Sequence, residues 1–225
     1  MTHLTIELKK LKDDMMEMFR MVHSQLEKAK EALVKLDKDL AREVIVNEKR
    51  VNSFELKLDR DCENIIALFN PVAVDLRFVL ACLKINSNLE RIGDIADGIA
   101  KFALNIRLTP EKELLDKTRL IEMFDISKAM VRDVMIAYET ENTQIARSVF
   151  KRDDELDEIN VNANEAVAEF IRAHQDRINQ SLYALSTIRK LERVGDQCKN
   201  IAEEIIFYIE AKVLKHSLKG EEKSF

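Results

Sequence analysis

Residues 89–100 read LERIGDIADGIA, and residues 191–202 read LERVGDQCKNIA. The two stretches begin 102 residues apart, at Leu89 and Leu191, and seven of their twelve positions are identical. Similarity at a fixed spacing indicates a structural unit that is present twice. The chain has 225 residues, so each half has room for a unit of about 100 residues, the size of a small domain. The sequence therefore predicts an internal duplication, with one motif in each half.

Apolar side chains recur every three or four residues along most of the chain, which is the pattern of an amphipathic helix. One such stripe runs from Leu4 to Leu36, and another runs through the first motif from Val79 to Ile106. The whole chain has only 4 glycines and 2 prolines, so it offers few sites for the tight turns that hairpins need. We therefore predict an all-α protein.

Capping residues and the two prolines mark the ends of six predicted helices. A helix start is favoured by an Asp or Asn side chain, which accepts hydrogen bonds from the first free backbone amides. Such starts are predicted at Asp37 or Asp39, at Asn142 and at Asn179. Asn70-Pro71 ends the second helix, because proline interrupts a helix interior.

The fourth predicted helix begins at Thr109-Pro110-Glu111, where a capping hydroxyl precedes a proline and an acid of the first turn. We expect this helix to run without interruption to about Thr140. The third helix is expected to end near Arg107, the fifth near His174 and the sixth near His216.

The break at Leu108-Thr109-Pro110 divides the six predicted helices into three and three. Long helices with short connections pack as antiparallel bundles. The predicted fold is therefore two tandem three-helix bundles related by internal duplication. They cover residues 1–108 and 109–216 and are followed by a flexible tail over residues 217–225.

The composition excludes several classes of protein. The net charge of -5 argues against a general nucleic-acid binder, which is usually basic. The N-terminus does not resemble a signal peptide, and no apolar run approaches the ~18 residues of a membrane span. We expect a soluble, cytoplasmic protein that reaches a membrane only through partners. Cys62, Cys82 and Cys198 form no Cys-x-x-Cys pair and are expected to be inert thiols in a reducing compartment.

The repeated motif carries a pair of carboxylates on one helix face. Glu90 and Asp94 are four residues apart, as are Glu192 and Asp196, so each pair lies one turn apart on the same side of its helix. Like charges at this spacing repel each other unless something compensates them. The glycine between the two acids costs about 1 kcal/mol relative to alanine in a helix interior. Its presence in both copies indicates that a ligand or another backbone approaches closely there.

A second, weaker repeat lies one helix before each motif. Glu48 and Asn52 correspond to Asp153 and Asp157, and antiparallel packing of neighbouring helices would bring these oxygens to the motif. A set made only of oxygen ligands suits hard metal ions such as Fe³⁺, Mn²⁺ or Mg²⁺. The predicted metal ligands are Glu48, Asn52, Glu90, Asp94 and Asp97 in the first half, and Asp153, Asp157, Glu192, Asp196 and Asn200 in the second.

Two other interpretations of the motif remain open. The acids can form a solvated surface that pairs with Arg91 and Arg193, in which case the protein is a ligand-free helical scaffold. Carboxylates that hold a metal can also hydrolyse phosphate esters, which would make the protein a metal-dependent phosphohydrolase. However, no Gly-rich phosphate loop, nucleophile elbow or Cys–His pair is present in the expected context. We therefore expect a metal-binding protein that is not an enzyme.

The two motifs, together with PVAVDLR at residues 71–77, resemble the pattern of the PhoU family of bacterial phosphate-transport regulators. The resemblance extends from about residue 4 to residue 214. It implies two three-helix bundles side by side, often in a homodimer, and metal binding by Glu/Asp-x-x-x-Asp pairs at the residues predicted above. Asn52 departs from the acid expected in that pattern. The first site is therefore expected to be weaker, or to bind fewer ions, than the second.

The resemblance also implies a biological role. When phosphate is plentiful, PhoU-like proteins restrain a sensor histidine kinase and the high-affinity phosphate ABC transporter, which they contact from the cytoplasm. On this basis we expect a negative regulator of phosphate uptake and of two-component signalling. The protein would act as an adaptor between these two membrane proteins.

Overall fold

The computed structural model describes residues 2–214, and within that range it contains helices and no strand. The helices are α1 (His3–Lys35), α2 (Lys38–Phe69), α3 (Ala73–Asn105), α4 (Lys112–Lys117), α5 (Leu120–Thr140), α6 (Thr143–Ala173) and α7 (Ile178–Glu210), with a 3-10 turn (Gln175–Arg177) before α7. The all-α prediction is confirmed. None of these helices is both long enough and apolar enough to cross a membrane.

Helices α1, α2 and α3 form the first bundle through two short connections. Leu36 follows α1 with a φ of 54°, and Asn70 follows α2 with a φ of 47°. A left-handed residue at this position commonly ends a helix and redirects the chain. Asp37 caps α2, because its carboxylate accepts hydrogen bonds from the backbone amides of Asp39 at 3.0 Å and Leu40 at 2.9 Å. The structure therefore decides between the two predicted caps in favour of Asp37.

The end of α3 is capped by a side chain from α2. Lys38 Nζ donates to the carbonyl oxygens of Ala103, Leu104 and Ile106. The last carbonyls of a helix have no partner within the helix and favour a positive charge. The helix ends at Asn105, within two residues of its predicted end.

The fourth predicted helix is interrupted, so that prediction is wrong. Thr109 does not act as a hydroxyl cap. Instead, Glu111 stands at the N-cap of α4 and makes no side-chain hydrogen bond there. Helix α4 has only six residues. Helix α5 begins after Arg119, which adopts a left-handed conformation with a φ of 52°.

Tertiary contacts support the interruption between α4 and α5. Leu114 and Leu120 are both buried in the core. The Arg119 guanidinium pairs with Glu122 at 2.7 Å and with Glu158 of α6 at 3.1 Å. These contacts oppose the cost of a left-handed residue other than glycine.

Helices α5, α6 and α7 form the second bundle, and α4 packs at its side. Asn142 caps α6, because its Oδ1 accepts hydrogen bonds from the amides of Gln144 at 2.9 Å and Ile145 at 3.2 Å. This predicted start is confirmed. The predicted cap at Asn179 is wrong, because α7 continues directly from the 3-10 turn and begins one residue earlier, at Ile178.

The end of α7 differs from its prediction. The helix ends at Glu210 and is followed by Ala211 in a left-handed conformation. The predicted end near His216 is therefore six residues too late. His216 itself and the predicted tail over residues 217–225 lie outside the described residues.

The two bundles pack against each other along α3 and α7 and, less extensively, along α1 and α5. Helices α3 and α7 are antiparallel: Lys84 pairs with Glu204 at 3.1 Å, and Asn200 Nδ2 donates to Asn88 Oδ1 at 3.3 Å. Both repeated motifs lie near the middle of these helices. The arrangement therefore places the two motifs beside each other at the centre of the molecule.

One hydrophobic core extends through both bundles. Tyr138 of α5 is fully buried, and its ring centroid lies 5.5 Å from that of Phe19 in α1, 6.2 Å from Phe78 in α3 and 6.3 Å from Tyr208 in α7. Aromatic pairs at such distances are stabilising. The predicted domain boundary after residue 108 falls in the connection from α3 to α4, and it stays a prediction.

Candidate functional site

Each repeated motif faces a neighbouring helix of its own bundle across a glycine. A Cβ placed on Gly93 of α3 would lie 3.1 Å from Glu48 Oε2 of α2. A Cβ placed on Gly195 of α7 would lie 2.7 Å from Asp153 Oδ1 of α6. Both distances are shorter than an ordinary van der Waals contact. The close approach that the glycines predicted is thus the approach of a carboxylate from the next helix.

The first site contains a buried carboxylate without a hydrogen-bond partner. Glu48 is 6% exposed, and neither of its oxygens is hydrogen-bonded. The Gln25 amide lies beside it and acts to lower the pKa of Glu48, while Gln25 Nε2 donates to the Val44 carbonyl oxygen at 2.9 Å. Asn52 Oδ1, one turn later on α2, is also buried without a partner. A buried unpaired polar group costs roughly 1–3 kcal/mol, so a donor or a cation placed here would be stabilising.

The acids of the first half lie close enough to perturb one another. Burial, followed by repulsion from Asp94 and Asp97, raises the pKa of Glu48 from 4.5 to about 7. Burial and repulsion from Asp94 also raise the pKa of Glu90. Such shifts arise where charged groups are partly removed from water and face like charges. The helices therefore bring Glu48 and the acids of the motif together as the sequence predicted.

Two lysines border the first site, and neither is paired with Glu48. Lys101 Nζ lies 2.5 Å from Asp97 Oδ2 on the same helix, and 59% of the lysine side chain is exposed. Lys190 reaches over from α7 into the space left by Gly98, where a Cβ would lie 2.5 Å from its Nζ. Burial lowers the pKa of Lys190, while the charge of Asp97 acts in the opposite direction. The negative charge of the first site is thus only partly compensated, and only at its edge.

The second site contains an ammonium group between its carboxylates. Lys199 Nζ lies 2.5 Å from Asp153 Oδ2 and 2.9 Å from Asp196 Oδ1, so it joins α6 to α7. Burial acts to lower the pKa of Lys199, but the bonds to both carboxylates outweigh it and raise that pKa. Burial raises the pKa of Asp153, and Lys199 opposes this rise. Burial and the charges of Asp196 and Asp157 raise the pKa of Glu192.

Asn200 is the predicted ligand that the structure places elsewhere. Its Nδ2 donates to Asn88 Oδ1 of α3, so the side chain takes part in the contact between the bundles. Gly98, which occupies the equivalent position of the first motif, also lies at that contact, against Lys190.

Lys199 is the residue of the sites that the sequence analysis missed. It occupies the same position of the motif as Asp97, seven residues after Glu192, just as Asp97 follows Glu90. A residue-by-residue comparison of the two copies shows this reversal of charge, so the sequence does indicate that Lys199 distinguishes the two sites. The sequence could not show that the side chain crosses to Asp153, because that contact depends on how α6 packs on α7.

The side chains do not form a closed coordination shell. Across residues 2–214, no three His, Cys, Asp or Glu side chains are grouped so that they could hold a metal ion. The first half nevertheless suits a hard cation chemically, since Glu48 and Asn52 offer unpaired buried oxygens and Gly93 leaves room beside them. Asp94 is exposed, so its side chain can turn towards such an ion. Carboxylate and amide oxygens are the ligands that hard ions prefer.

The three cysteines are buried and unpaired. Burial raises the pKa of Cys82 to about 12 and the pKa values of Cys62 and Cys198 further still. A thiol with so high a pKa is protonated at neutral pH and is a poor nucleophile. The prediction of inert thiols agrees with this burial.

The fold and the two sites define a class of all-α protein, built from two similar three-helix bundles that each turn an acidic motif towards a neighbouring helix. The chain belongs to the PhoU family. The PhoU domain model matches residues 15–103 and residues 120–205, with one match in each half.

Proteins with this name are similar to the chain over most of its length. The phosphate-specific transport system accessory protein PhoU homolog 1 of Thermotoga maritima is 32% identical over 221 residues, which are 98% of this chain and 94% of that protein. The phosphate-specific transport system accessory protein PhoU of Escherichia coli (strain K12) is 33% identical over 210 residues, 93% of this chain and 86% of that protein.

Two crystal structures share the fold. PhoU from Pseudomonas aeruginosa superposes with a TM-score of 0.87 at 26% identity, covering 93% of this chain and all of that one. The phosphate transport system regulatory protein PhoU from Streptococcus pneumoniae gives a TM-score of 0.82 at 26% identity, covering 94% of this chain and 99% of that one. These likenesses agree with the predicted arrangement of two tandem helical bundles.

Proposed function

We propose that this chain is an accessory protein that regulates phosphate transport and is not an enzyme. The observation that carries the proposal is its similarity, along almost the whole chain, to proteins named as phosphate-specific transport system accessory proteins. The two matches to the PhoU domain extend this similarity to both halves. In this role the protein acts in the cytoplasm and reaches the membrane only through its partners.

The proposed mode of action is that of an adaptor between a phosphate ABC transporter and a sensor histidine kinase. The protein lowers phosphate uptake and signalling when phosphate is plentiful. One surface suits such contacts: at the turn between α2 and α3, Leu68, Val72 and Val74 are 74%, 69% and 57% exposed. Exposed apolar residues that lie near one another in the chain, as these three do, suit a protein–protein contact. We also propose a homodimer, on the basis of the resemblance to PhoU proteins.

A hard metal ion is the proposed ligand of the acidic sites. Fe³⁺, Mn²⁺ or Mg²⁺ would supply positive charge where carboxylates now repel one another, and would thereby stabilise the packing of the helices. The unpaired oxygens of Glu48 and Asn52 support this proposal most directly. The residues available to hold an ion are Glu48, Asn52, Glu90, Asp94 and Asp97 in the first half and Asp153, Asp157, Glu192 and Asp196 in the second.

Deletion of the gene in its host tests the regulatory role. We expect a reporter of a phosphate-starvation promoter to become active in phosphate-rich medium, and the wild-type gene supplied in trans to restore repression. Unchanged repression in the deletion strain would contradict the proposal. Binding of the purified protein to the cytoplasmic domain of the kinase, measured by calorimetry, tests the adaptor role separately.

The two rival functions predict different results with the purified protein. A metal-dependent phosphohydrolase would release p-nitrophenol from p-nitrophenyl phosphate in the presence of Mn²⁺, and this activity would be lost in Glu192→Ala. A ligand-free scaffold would show no change in melting temperature with Mn²⁺, Mg²⁺ or Fe³⁺. We expect no turnover and a higher melting temperature with the ion that binds, because a ligand of the folded state stabilises it by mass action.

A further inference from the structure

We propose that the two halves use their motifs differently: the Lys199 ammonium is a built-in cation of the second site, whereas the first site takes up a metal ion from solution. The inference rests on the proposed metal binding and deepens it, because it says which half carries that function. It also identifies Lys199 as the residue that sets the difference.

Lys199 compensates the buried carboxylate of the second half. Asp153 is 4% exposed, and a buried carboxylate is costly unless it is paired or bound to a metal. Lys199 Nζ contacts Asp153 on α6 and Asp196 on α7, which are the two helices that an ion at this place would bridge. A lysine has three donors and no acceptor. It therefore cannot act as a ligand, and its charge repels an incoming metal ion.

The corresponding carboxylate of the first half has no such partner. Glu48 is buried to nearly the same extent as Asp153, but both of its oxygens are unpaired. The nearby Lys101 is bound to Asp97 alone, and its side chain is 59% exposed, compared with 29% for Lys199. Lys101 contacts one carboxylate of its own helix, whereas Lys199 contacts two carboxylates on two helices. The first half therefore gains more from an external cation.

A comparison of the two copies identifies the residue at which the charge of the two sites differs. The position that is Asp97 in the first motif is Lys199 in the second, so one copy has an oxygen ligand where the other has an ammonium group. On this basis the first site binds a metal ion more tightly than the second. The presence of Asn52 alone predicts the opposite order of affinity. The amide of Asn52 still offers an oxygen to a metal ion, whereas a lysine offers none.

The inference is tested with Mn²⁺ and the purified full-length chain. Calorimetric titration counts the ions, and anomalous scattering from crystals grown with Mn²⁺ locates them. We expect the wild-type protein to bind Mn²⁺ beside Glu48 and Asp94 only. Glu48→Gln keeps the size of the side chain and is expected to weaken binding by about tenfold or more, at least the effect of removing an outer-shell partner. Manganese found between Asp153 and Asp196 in the wild-type protein would overturn the inference.

Substitutions of Lys199 test the blocking charge directly. Lys199→Met is expected to add a second Mn²⁺ between α6 and α7, and Lys199→Arg, which keeps the charge, is expected to add none. Lys101→Met is the matched control, because it removes a lysine that borders the first site and should leave the second site without an ion. If Lys199→Met adds no ion, the inference is wrong. If that variant fails to fold, Lys199→Gln removes the charge while keeping a donor for Asp153, and the same criterion applies.

The test separates this inference from the proposed function. A wild-type protein that binds no Mn²⁺ at either site would refute both the proposed metal binding and the inference. The regulatory role would still be judged by the promoter reporter, which does not depend on the metal. Equal binding of Mn²⁺ at both sites would instead uphold metal binding and refute only the division between the halves.

Discussion

Gly93, Gly98 and Gly195 lie in the interior of long helices, where alanine is favoured by about 1 kcal/mol, yet a methyl group would meet a different neighbour at each of them. At Gly93 and Gly195 the neighbour is a carboxylate and an apolar side chain of the facing helix. At Gly98 it is the flexible end of Lys190. The effect of the same substitution should therefore differ among the three positions.

Gly195→Ala is expected to lower the free energy of unfolding by about 1–3 kcal/mol, the usual cost of overpacking. The new Cβ would lie 2.7 Å from Asp153 Oδ1 and 2.7 Å from Leu156 Cδ1, and Leu156 is fully buried in the core. Gly98→Ala is the matched control, because Lys190 can move away. It should leave stability unchanged or raise it by up to about 1 kcal/mol. Urea unfolding followed by circular dichroism measures both, and equal effects would contradict this explanation.

Glu48 should make the stability of the metal-free protein depend on pH. Its pKa is about 7 in the folded protein and 4.5 as a free side chain, so the folded state binds the proton more tightly. The stability that this provides is complete below about pH 4.5 and is lost as the pH rises through 7. Glu48→Gln cannot ionise, and we expect it to be more stable than the wild type at pH 8 by up to about 3 kcal/mol.

The comparison of Glu48→Gln with the wild type is made by chemical denaturation at pH 5 and pH 8 in the presence of EDTA. Titratable groups that are present in both proteins contribute equally to the two free energies of unfolding, so the difference between the proteins reports on Glu48. A difference that is the same at both pH values would show that Glu48 does not titrate between them. Mn²⁺ should reduce the difference at pH 8, because the ion stabilises the ionised carboxylate of the wild type.

The acids of the site were predictable because their spacing on a helix decides which face they share. Glu90, Asp94, Glu192 and Asp196 therefore follow from the sequence alone. The burial of Glu48 and the bridge made by Lys199 do not, because both depend on the distance between two helices. That distance depends on the residues between the helices, including the glycines of the motif, where a Cβ would crowd the facing helix.

At the scale of helices, the capping residues give a direct test of the boundaries. Asn142 accepts two backbone hydrogen bonds at the start of α6, and its replacement by alanine should lower stability by about 1 kcal/mol. Asn179 lies within the first turn of α7 and does not cap it. Asn179→Ala should therefore change the free energy of unfolding by less than about 0.5 kcal/mol. Similar losses in the two variants would mean that Asn179 does stabilise the start of α7.

Helix boundaries were predictable where a local signal decides them. Asp37 and Asn142 cap helices through their own side chains, and the turn before Pro71 is marked by the proline. The break at Arg119 has no glycine or proline to reveal it. What accompanies the break is tertiary: Leu114 and Leu120 are buried in the core, and Arg119 forms ion pairs that include one with a residue of α6. The pattern of apolar residues alone therefore predicted a continuous helix.

At the scale of the whole molecule, the continuous core predicts that both halves unfold together. We expect a single transition in calorimetry, with no separate melting of the two bundles. Tyr138→Ala should lower the free energy of unfolding by about 3–5 kcal/mol, since it opens a cavity between α1, α3, α5 and α7. Tyr138→Phe is the control. It keeps the ring and loses the 3.3 Å contact with Cys82 Sγ, and it should cost less than about 1.5 kcal/mol. Two resolved transitions in the wild type would show that the bundles are independent.

The contacts between α3 and α7 occur in equivalent pairs, at positions related by the internal repeat. Asn88 contacts Asn200, and the positions equivalent to these two in the other copy, Lys190 and Gly98, also contact each other. The interface is thus isologous, as in a symmetric dimer whose two subunits present the same patch. The two halves are arranged like the subunits of a dimer that are joined in one polypeptide. Fusion frees the two copies of each position to evolve separately, which two identical subunits cannot do, and it permits Asp97 and Lys199 to carry opposite charges within one molecule.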